Sequence, residues 1–597
     1  MPSNYAIPGV YVEEIPKFPP SVAQVETAIP AFIGYTERAV DALGNDLSPR
    51  NTPVRISSFT EFETRFGSAP TLNVTEVRLD ANDNFLGADI TTDYYMHHAV
   101  QMFYNNGGGD CYIVSVGAYA TSAPFVDLTH YTDPAAGLEM ISRVDEPTIL
   151  VFPDAVLMSD TDLGNVQKAA LLQCANLQDR VTVCDLRNDN PNTLDDITNF
   201  RDEIGINNLK YGAAYTPWIQ ALLPKNIGYA QLNGSIYVRG GAAATDLATL
   251  NTDTDIANVL TNHDAILAID GHSDIAANRT AINTEYAALL QIADLDTANM
   301  TDDLSTAITD TDTDVNSLVP GTIPALPADY TTALTDLQAA IVAYEALTSG
   351  STQAAIDAAA ETLAADLSTY LSFVGGSAVA NAEENLRSVF PLYRAIVNGI
   401  NGVPIDMPPS GAVVGVYATV DRTRGVWKAP ANVSLNNVAG PSRAYVQSTL
   451  ANLNIDPSTG KSVNAIRSFT GKGTLIFGAR TLAGNDNEWR YVSVRRFFNM
   501  VEESIKKATE QFVFEPNDAN TWVRVQAMIE NFLTLQWRDG ALQGAKQEQA
   551  FQVAVGLGKT MTADDILNGR MIVQIALAPV RPAEFIILRF EQMMAQS

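Results

Sequence analysis

The chain has 597 residues and a formal net charge of −31, because 68 acidic residues oppose 37 basic ones. At about 150 residues per domain, this length predicts about four domains' worth of folded mass and excludes a single small module. Hydrophobic residues make up 46% and charged residues 18%, which excludes a disordered or collagen-like polymer. The negative charge also disfavours binding to nucleic acid or to anionic lipid surfaces.

The order of patterned segments predicts a multidomain fold of mixed α/β (α+β) class. Apolar runs at 148–152 and 181–186 flank a helical stretch at 163–177, an alternation that is typical of a parallel or mixed sheet. Downstream, strand-like and helix-like patterns follow each other in a separate α+β unit. Its predicted strands are 474–479, 572–577 and 584–590, and its predicted helices are 494–512 and 521–537.

An acidic block separates these two parts of the chain. Residues 241–385 carry 22 acidic residues and a single basic residue, Arg279. Within the block, 330–347 and 353–371 repeat apolar residues every three or four positions, which predicts amphipathic helices. We interpret the block as an inserted helical domain, after which a predicted helix at 382–397 leads back to mixed patterning.

Short strand-like segments without an adjacent hairpin partner occur near both ends of the chain. A free strand exposes unpaired N–H and C=O groups, which either invite aggregation or are completed by the sheet of a neighbour. Pairing within the chain is the alternative on local sequence alone. The candidate arm residues are Val10, Tyr11, Val12 and Glu13 at one end and Phe585, Ile586, Ile587 and Leu588 at the other.

Motifs that would bind nucleotides are incomplete. GLGKT at 556–560 is similar to the end of a phosphate-binding loop, but Val553 stands where that loop needs its first glycine. The stretch at 152–158, after an apolar run, contains no glycine fingerprint for a dinucleotide. We predict a surface turn at 556–560 and no cofactor.

Candidate metal ligands are also poorly arranged. Asp310, Asp312 and Asp314 have the spacing of calcium-loop ligands but lack the glycine that such a loop needs, so a solvated acidic turn is predicted. His97 and His98 are adjacent, so on a helix they point about 100° apart, which predicts a structural role. With no recognised nucleophile motif and five histidines in all, the sequence predicts no catalytic residue, no metal and no enzyme.

Cysteine and targeting patterns indicate folding in a reducing compartment. Cys111, Cys174 and Cys184 are an odd number of separated cysteines without a CxxC pair, so neither a disulfide framework nor a zinc site is predicted. The beginning of the sequence lacks a basic stretch followed by an apolar core, and no run of 18 apolar residues occurs. We expect neither signal-directed export nor membrane insertion.

Several segments together resemble the sheath proteins of contractile phage tails and of related phage-tail-like injection particles. The likeness follows the family's order over most of the chain outside residues 241–385. The segments that carry it are IPGVYVEEI, TAIPAFIGY, YYMHHAVQMFYNNGGGDCYIVSV, the stretch 215–218, PSGAVVGVYATVDRTRGVWKAPAN, GARTL, RYVSVRRFF, EESIKKA, FEPN, LQWRDGALQG and APVRPAEFIILRF.

The resemblance implies a structural subunit that lends its terminal strands to neighbouring subunits. Such a sheath is built from hexameric rings stacked helically around an inner tube protein, with baseplate and terminator or cap proteins at its ends. It contracts to drive the tube through a target envelope. Assembly in the bacterial cytoplasm is implied, as is a final place in a virion or a released injection particle; a phage tail and a host-encoded device both fit.

The resemblance implies a function for most of the predicted domains. They are a strand-donating arm at 1–30, a middle region at 31–240 that resumes at 386–440, the acidic insertion at 241–385, and a C-terminal core domain with its own strand arm at 441–597. The insertion lies outside the resemblance. Surface decoration, adaptation to high salinity and recognition of a dedicated partner remain open for it.

The resemblance also implies that a C-terminal helix faces the tube. On the predicted helix 494–512, Arg495 and Lys506 are eleven residues apart, as are Arg496 and Lys507, so each pair lies within about 20° of one face. A complementary acidic tube surface would bind these basic groups. A solvated face that mixes them with glutamates is the alternative.

Two other classes of protein compete with the sheath hypothesis. The first is a soluble α/β enzyme that uses the sheet near 148–216, although it should supply a glycine-rich or acid/base cluster at its strand ends. A different oligomeric component of a virion is a further alternative, and it would also be a structural protein. An acidic surface adhesin is the second class, and it would call for an export signal.

Overall fold

A computed structural model describes residues 22–589, apart from 121–122, 124, 189–192, 245, 290–301, 320–321, 323–324 and 349. The predicted arm residues Val10, Tyr11, Val12 and Glu13 lie outside the described residues. The chain divides into two compact units. Unit 1 comprises Met1–Pro70, Thr92–Leu223 and Pro404–Ser597, and unit 2 comprises Thr71–Thr91 and Pro224–Val403.

Unit 1 is built on a nine-stranded sheet whose central strands are parallel. These strands are apolar on both faces because a layer covers each side. Phe32 packs in the layer that includes helices Met96–Asn105 and Ser410–Arg424, whereas Ile33 packs in the layer that includes helix Asp160–Leu177. From edge to edge, the strands are Val433–Ser434, Gly473–Phe477, Asn464–Phe469, Gly212–Thr216, Val181–Asp185, Ile149–Val151, Pro30–Tyr35, Cys111–Gly117 and Val54–Ile56.

Shorter elements complete this part of unit 1. A three-stranded antiparallel sheet has the order Ile405–Met407, Ile219–Ala221, Val438–Pro441. The remaining helices before residue 480 are Phe59–Phe66, Thr129–Thr132, Gly137–Ser142, Asp195–Glu203 and Gln447–Asn454, with 3-10 turns at Pro153–Leu157 and Leu209–Tyr211.

The C-terminal part of unit 1 has its own hydrophobic core. Helices Val492–Thr509 and Ala519–Arg538 pack with the two-stranded sheet of Phe551–Val555 and Val573–Leu577 around Phe497 and similar side chains. The smaller elements are the 3-10 turn Glu510–Phe512 and helices Gln547–Ala550 and Ala563–Leu567.

Unit 2 joins two early strands to the acidic block. Its four-stranded sheet has the order Ala242–Ala244, Ile236–Arg239, Leu72–Leu79, Phe85–Thr92. Apolar residues on one face of each long helix form a separate core that includes Leu337 and Leu363. The helices are Tyr229–Leu232, Thr254–Asp270, Ser273–Leu289, Asp302–Ser317, Tyr330–Glu345, Gln353–Val374, Ala378–Val389 and Pro391–Asn401, with a 3-10 turn at Ala248–Leu250.

The predicted mixed α/β, multidomain class is confirmed, and three local predictions are corrected. The single helix predicted at 382–397 is two helices, because the residue before Pro391 adopts an extended backbone that ends the first one. The acidic turn predicted at Asp310–Asp314 lies inside the helix Asp302–Ser317. The described residues of the predicted closing strand, 584–589, form no strand.

Candidate assembly site

The helix Val492–Thr509, predicted to face a tube, is largely an internal element. Its apolar residues recur every three or four positions, and Phe497, Met500 and Val501 are buried in the C-terminal core. Basic residues stand on other faces of the same helix. Where each of them lies therefore decides whether the helix can offer charge to another protein.

Arg496 is buried in an ion pair that holds the N-terminal end of the described chain. Its guanidinium contacts both carboxylate oxygens of Asp421, at 3.0 and 2.5 Å, and donates a hydrogen bond of 2.8 Å to the carbonyl oxygen of Thr27. The Thr27 hydroxyl donates to the same carboxylate at 2.6 Å. Two residues earlier, the Val25 amide donates to the hydroxyl of Ser504 on the helix at 3.0 Å. The pair thus closes over the chain just before strand Pro30–Tyr35.

Arg495 is also internal. Its side chain is 2% exposed, and its guanidinium lies 4.3 Å from the ring centroid of Trp489, an arrangement that favours a cation–π interaction. It donates to Asn499 at 2.7 Å and to Glu502 at 2.8 Å. Burial raises the pKa of Glu502, although the nearby Arg495 opposes that rise.

Arg495 and Arg496 are both buried and bonded inside unit 1, so neither guanidinium group is exposed to a tube surface in this chain. That the helix faces a tube stays a prediction. Lys506 and Lys507 differ, with side chains 63% and 38% exposed. Lys506 lies 3.2 Å from Glu503, and Lys507 lies 2.6 Å from Asp145. Helical spacing in the sequence predicted which face of the helix the two arginines occupy, but it could not predict the residues that they contact.

The C-terminal arm has the opposite character. Phe585, Ile586, Ile587 and Leu588 are 68–81% exposed, which leaves four consecutive apolar side chains in solvent. A soluble chain rarely exposes such a run unless it binds another surface. The residue before the run, Glu584, turns back into the body instead and contacts Arg480. The arm is thus fixed at its root and open beyond it.

A sheet with open edges lies in the same part of the chain. Strands Phe551–Val555 and Val573–Leu577 pair only with each other among the described residues, and a two-stranded sheet of this kind is marginally stable alone. Val573 and Ile575 line an apolar groove of about 890 Å³ that helix Val492–Thr509 bounds on another side. Phe514, also on this groove, is fully exposed. The edge and the groove together could accept an added strand.

Carboxylates at the ends of the parallel strands are the strongest structural support for an enzyme. Burial raises the pKa of Asp154 to about 6 and that of Asp185 to about 7, and such shifts are common in active sites. Both side chains are nevertheless enclosed, and they accept backbone N–H groups from Tyr35, Tyr95 and Ser410, among others. These contacts give them structural roles in joining loops to the sheet.

The other sequence candidates lie apart from these surfaces. His97 is buried on helix Met96–Asn105 against Phe59 and Phe62, and residues 556–560 form a turn. In unit 2, one atom each of His272, Asp274 and Asp314 lie within 4.8 Å of one another, a grouping that spacing did not predict. Among the described helices, none is both long enough and apolar enough to cross a bilayer.

An exposed apolar arm and an open sheet edge are the two features that strand addition between subunits requires. Residues 484–593 match the family model of the phage tail sheath C-terminal domain. This segment contains the helix Val492–Thr509, the two-stranded sheet and the described arm. The predicted resemblance to tail sheath proteins is confirmed.

Individual proteins support the same relationship. The tail sheath protein of Vibrio phage KVP40 is 27% identical over 128 residues, which cover 21% of this chain and 19% of that protein. The chain thus spans about a fifth of the length of this curated relative. Two solved structures share the fold over almost the whole chain. They are the PVC sheath complex of an extracellular contractile injection system in its contracted state (24% identity, TM-score 0.52, 99% and 98% of the two chains) and the baseplate of the anti-feeding prophage (24%, 0.51, 99% and 99%).

Proposed function

We propose that the chain is the structural subunit of a contractile sheath. In this role it polymerises as stacked hexameric rings around an inner tube and contracts to drive the tube through a target envelope. The observation that carries the proposal is that an exposed apolar run, Phe585–Leu588, and a sheet with open edges both occur within the segment that matches the sheath family. The assembled particle is a virion or a released injection device that forms in the bacterial cytoplasm.

Strand addition supplies the link between subunits. The arm of one copy adds to the sheet of Phe551–Val555 and Val573–Leu577 in another copy, and its apolar side chains fill the groove beside that sheet. Net hydrogen bonds contribute about 0.5–1.5 kcal/mol each, so four or five bonds give a few kcal/mol for one link. Because every copy is linked several times, the mesh is strong although each link is modest.

In this proposal, contraction is a movement of the folded bodies of the subunits, which stay joined by the added strands. Bodies rotate and move outward while the strand pairs persist, as in hinge motion between rigid domains. The extended state must be held by a kinetic barrier, since a sheath already in its lowest state could do no work. Contacts with the tube supply this latch. On helix Val492–Thr509, Lys506 is the basic group that remains free enough to take part, with Lys507 beside it.

The remaining partners and the acidic block fit the same proposal. Baseplate and cap proteins bind the two ends of the sheath. The acidic residues of unit 2 keep the particle surface soluble and repel neighbouring particles. An enzymatic role is not favoured, because the buried carboxylates Asp154 and Asp185 are engaged by backbone amides.

Electron microscopy of the purified full chain in negative stain tests the proposal. We expect hollow striated tubes from the full chain, alone or on a purified tube template, and none after removal of residues 1–20. A second variant, Ile586→Asp, places a charge in the arm and should also abolish tubes. Its matched control is Ile206→Asp, because both isoleucines are 81% exposed in unit 1 and only one lies in the arm.

The control defines the outcomes of this experiment. Tubes from Ile206→Asp but not from Ile586→Asp support strand exchange through the arm. Equal tube formation by both variants contradicts it. A full chain that remains monomeric on a tube template, at all salt and protein concentrations, contradicts the sheath role itself.

A further inference from the structure

Three segments that carry the family resemblance meet at the root of the C-terminal arm. They are GARTL, which contains Arg480, RYVSVRRFF, which contains Tyr491, and APVRPAEFIILRF, which contains Glu584. The Arg480 guanidinium donates to both carboxylate oxygens of Glu584, at 2.8 and 2.5 Å. Tyr491 and Asn454 donate to the same carboxylate at 3.2 and 3.0 Å. Four donors from three parts of unit 1 thus converge on one arm carboxylate.

Arg480 is itself held rigidly by the body. Its side chain is 3% exposed, and its guanidinium also donates to the carbonyl oxygens of Asn454 and Gly484. Its backbone amide donates to the side chain of Asn464, the first residue of strand Asn464–Phe469 in the large sheet. A buried guanidinium needs a carboxylate partner, because an unpaired charge in the interior is strongly unfavourable. Here that partner comes from the arm.

The neighbouring parts of the arm show where its fixed section ends. Upstream, Ala578 and Val580 donate backbone hydrogen bonds to Ala550 and Ala541. Downstream of Glu584, the side chains of 585–588 are exposed. Glu584 is therefore the last described residue whose side chain binds the body.

We infer that Arg480 is a positioning residue, which grips Glu584 and so fixes the point and direction from which the C-terminal arm leaves the body toward a neighbouring copy. This inference rests on the proposed function for what the arm does. A similar arrangement occurs toward the other end of the chain. There the Arg496–Asp421 pair binds Thr27, whose carbonyl oxygen accepts from Arg496 and whose hydroxyl donates to Asp421. In both places a buried arginine and a carboxylate anchor the chain beside a terminal segment.

A spin label next to the clamp measures this positioning in the unassembled chain. Ala583 is exposed, whereas Cys111, Cys174 and Cys184 are buried, so Ala583→Cys offers one reactive thiol. In this background we expect a largely immobile label. Adding Glu584→Gln removes the charge from the clamp, and we expect the mobile fraction of the label to rise several-fold. Glu584→Asp retains the carboxylate and should give an intermediate value.

Controls separate positioning from general loss of structure. Glu139→Gln removes a carboxylate from an exposed pair with Arg143 and should leave the label unchanged. Glu584→Gln leaves the buried Arg480 guanidinium without its charged partner, so a lower thermal midpoint is expected and the label is read at a temperature well below the midpoint of every variant. If Glu584→Gln does not fold at that temperature, Glu584→Asp against the parent decides the question. A label as immobile in Glu584→Gln as in the parent overturns the inference. Because the label is read without assembly, a failure of tube formation counts against the proposed sheath function and leaves this result separate.

Discussion

The helix Val492–Thr509 and the arm that includes Phe585–Leu588 invert the usual distribution of charge and apolar surface. On the helix, Arg495 and Arg496 are buried, whereas the four arm residues are exposed. The helix arginines hold unit 1 together through Asp421, Glu502 and Thr27. The buried arginines on this helix serve internal anchoring, whereas the exposed apolar arm is the surface that we propose for contact with other copies.

Removing the carboxylate of a buried anchor should have the largest effect on folding. Asp421→Ala leaves Arg496 buried without its partner and should reduce the free energy of unfolding by about 3–5 kcal/mol. Asp145→Ala breaks the exposed pair with Lys507 and should cost only about 0–1 kcal/mol. Denaturant unfolding of both variants measures the difference. Equal losses of stability would mean that the buried ion pair stabilises the fold no more than the exposed pair does.

Truncating a buried leucine and an exposed leucine should have very different effects on stability. Leu533 is fully buried in the C-terminal core, so Leu533→Ala should lower the free energy of unfolding by about 2–5 kcal/mol. Leu588→Ala should change it by less than about 0.5 kcal/mol, because this side chain is exposed in the unassembled chain. The same denaturant measurement applies. A large loss from Leu588→Ala would place the arm against its own body.

A buried carboxylate that faces backbone amides should respond to pH differently from one paired with arginine. Burial raises the pKa of Asp185 from 3.8 to about 7, so between about pH 4 and 7 the folded state retains a proton that the unfolded state loses. The stability from this group is therefore present below pH 4 and is lost as pH rises to 7. At about 1.4 kcal/mol per pKa unit, the loss amounts to a few kcal/mol.

The isosteric change Asp185→Asn isolates this contribution. Asparagine retains an oxygen that can accept the Ser410 amide but cannot ionise. We expect the stability of the variant relative to the parent to increase as pH rises from 4 to 7, measured by urea unfolding at each pH. A constant difference across that range would show that Asp185 ionises normally.

The smallest expected effect concerns the exposed lysine on the same helix as the buried arginines. Lys506→Gln should change the free energy of unfolding by less than about 1 kcal/mol, because its pair with Glu503 is solvated. In tubes assembled on a template, the variant should attach more weakly than the wild type at low salt and lose less of its attachment as salt rises, because it lacks an exposed charge that salt screens. If attachment of the variant depended on salt as steeply as that of the wild type, Lys506 would have no part in binding the tube.

Regular elements with strong patterns were predictable from the sequence. The helix predicted at 494–512 is observed as Val492–Thr509 with a following 3-10 turn, because its apolar residues recur at helical spacing. The apolar runs at 148–152 and 181–186 are central strands of the large sheet, as two-sided burial requires. The pattern of Phe585–Leu588 predicted a strand, but these residues are exposed and form none, and their pairing with a neighbour stays a prediction.

Features that depend on distant partners were not predictable. Periodicity gave the face of Arg495 but not Trp489 or Tyr211 beside it, so its burial was missed. The strand Leu72–Leu79 pairs with Ile236–Arg239, which lies more than a hundred residues later, and the strand Phe85–Thr92 follows at the edge of the same sheet. Glu584 was named only as the start of a strand. Its role in the clamp depends on Arg480, which local sequence cannot connect to it.

Cryo-electron microscopy of assembled tubes, at a resolution that traces the main chain, tests the central claim most directly. We expect residues 585–588 of each subunit to form a strand along Phe551–Val555 or Val573–Leu577 of another subunit, with Glu584 still bound to Arg480 of its own chain. Tubes in which this segment packs on its own subunit, or takes no part in a contact between subunits, would contradict it.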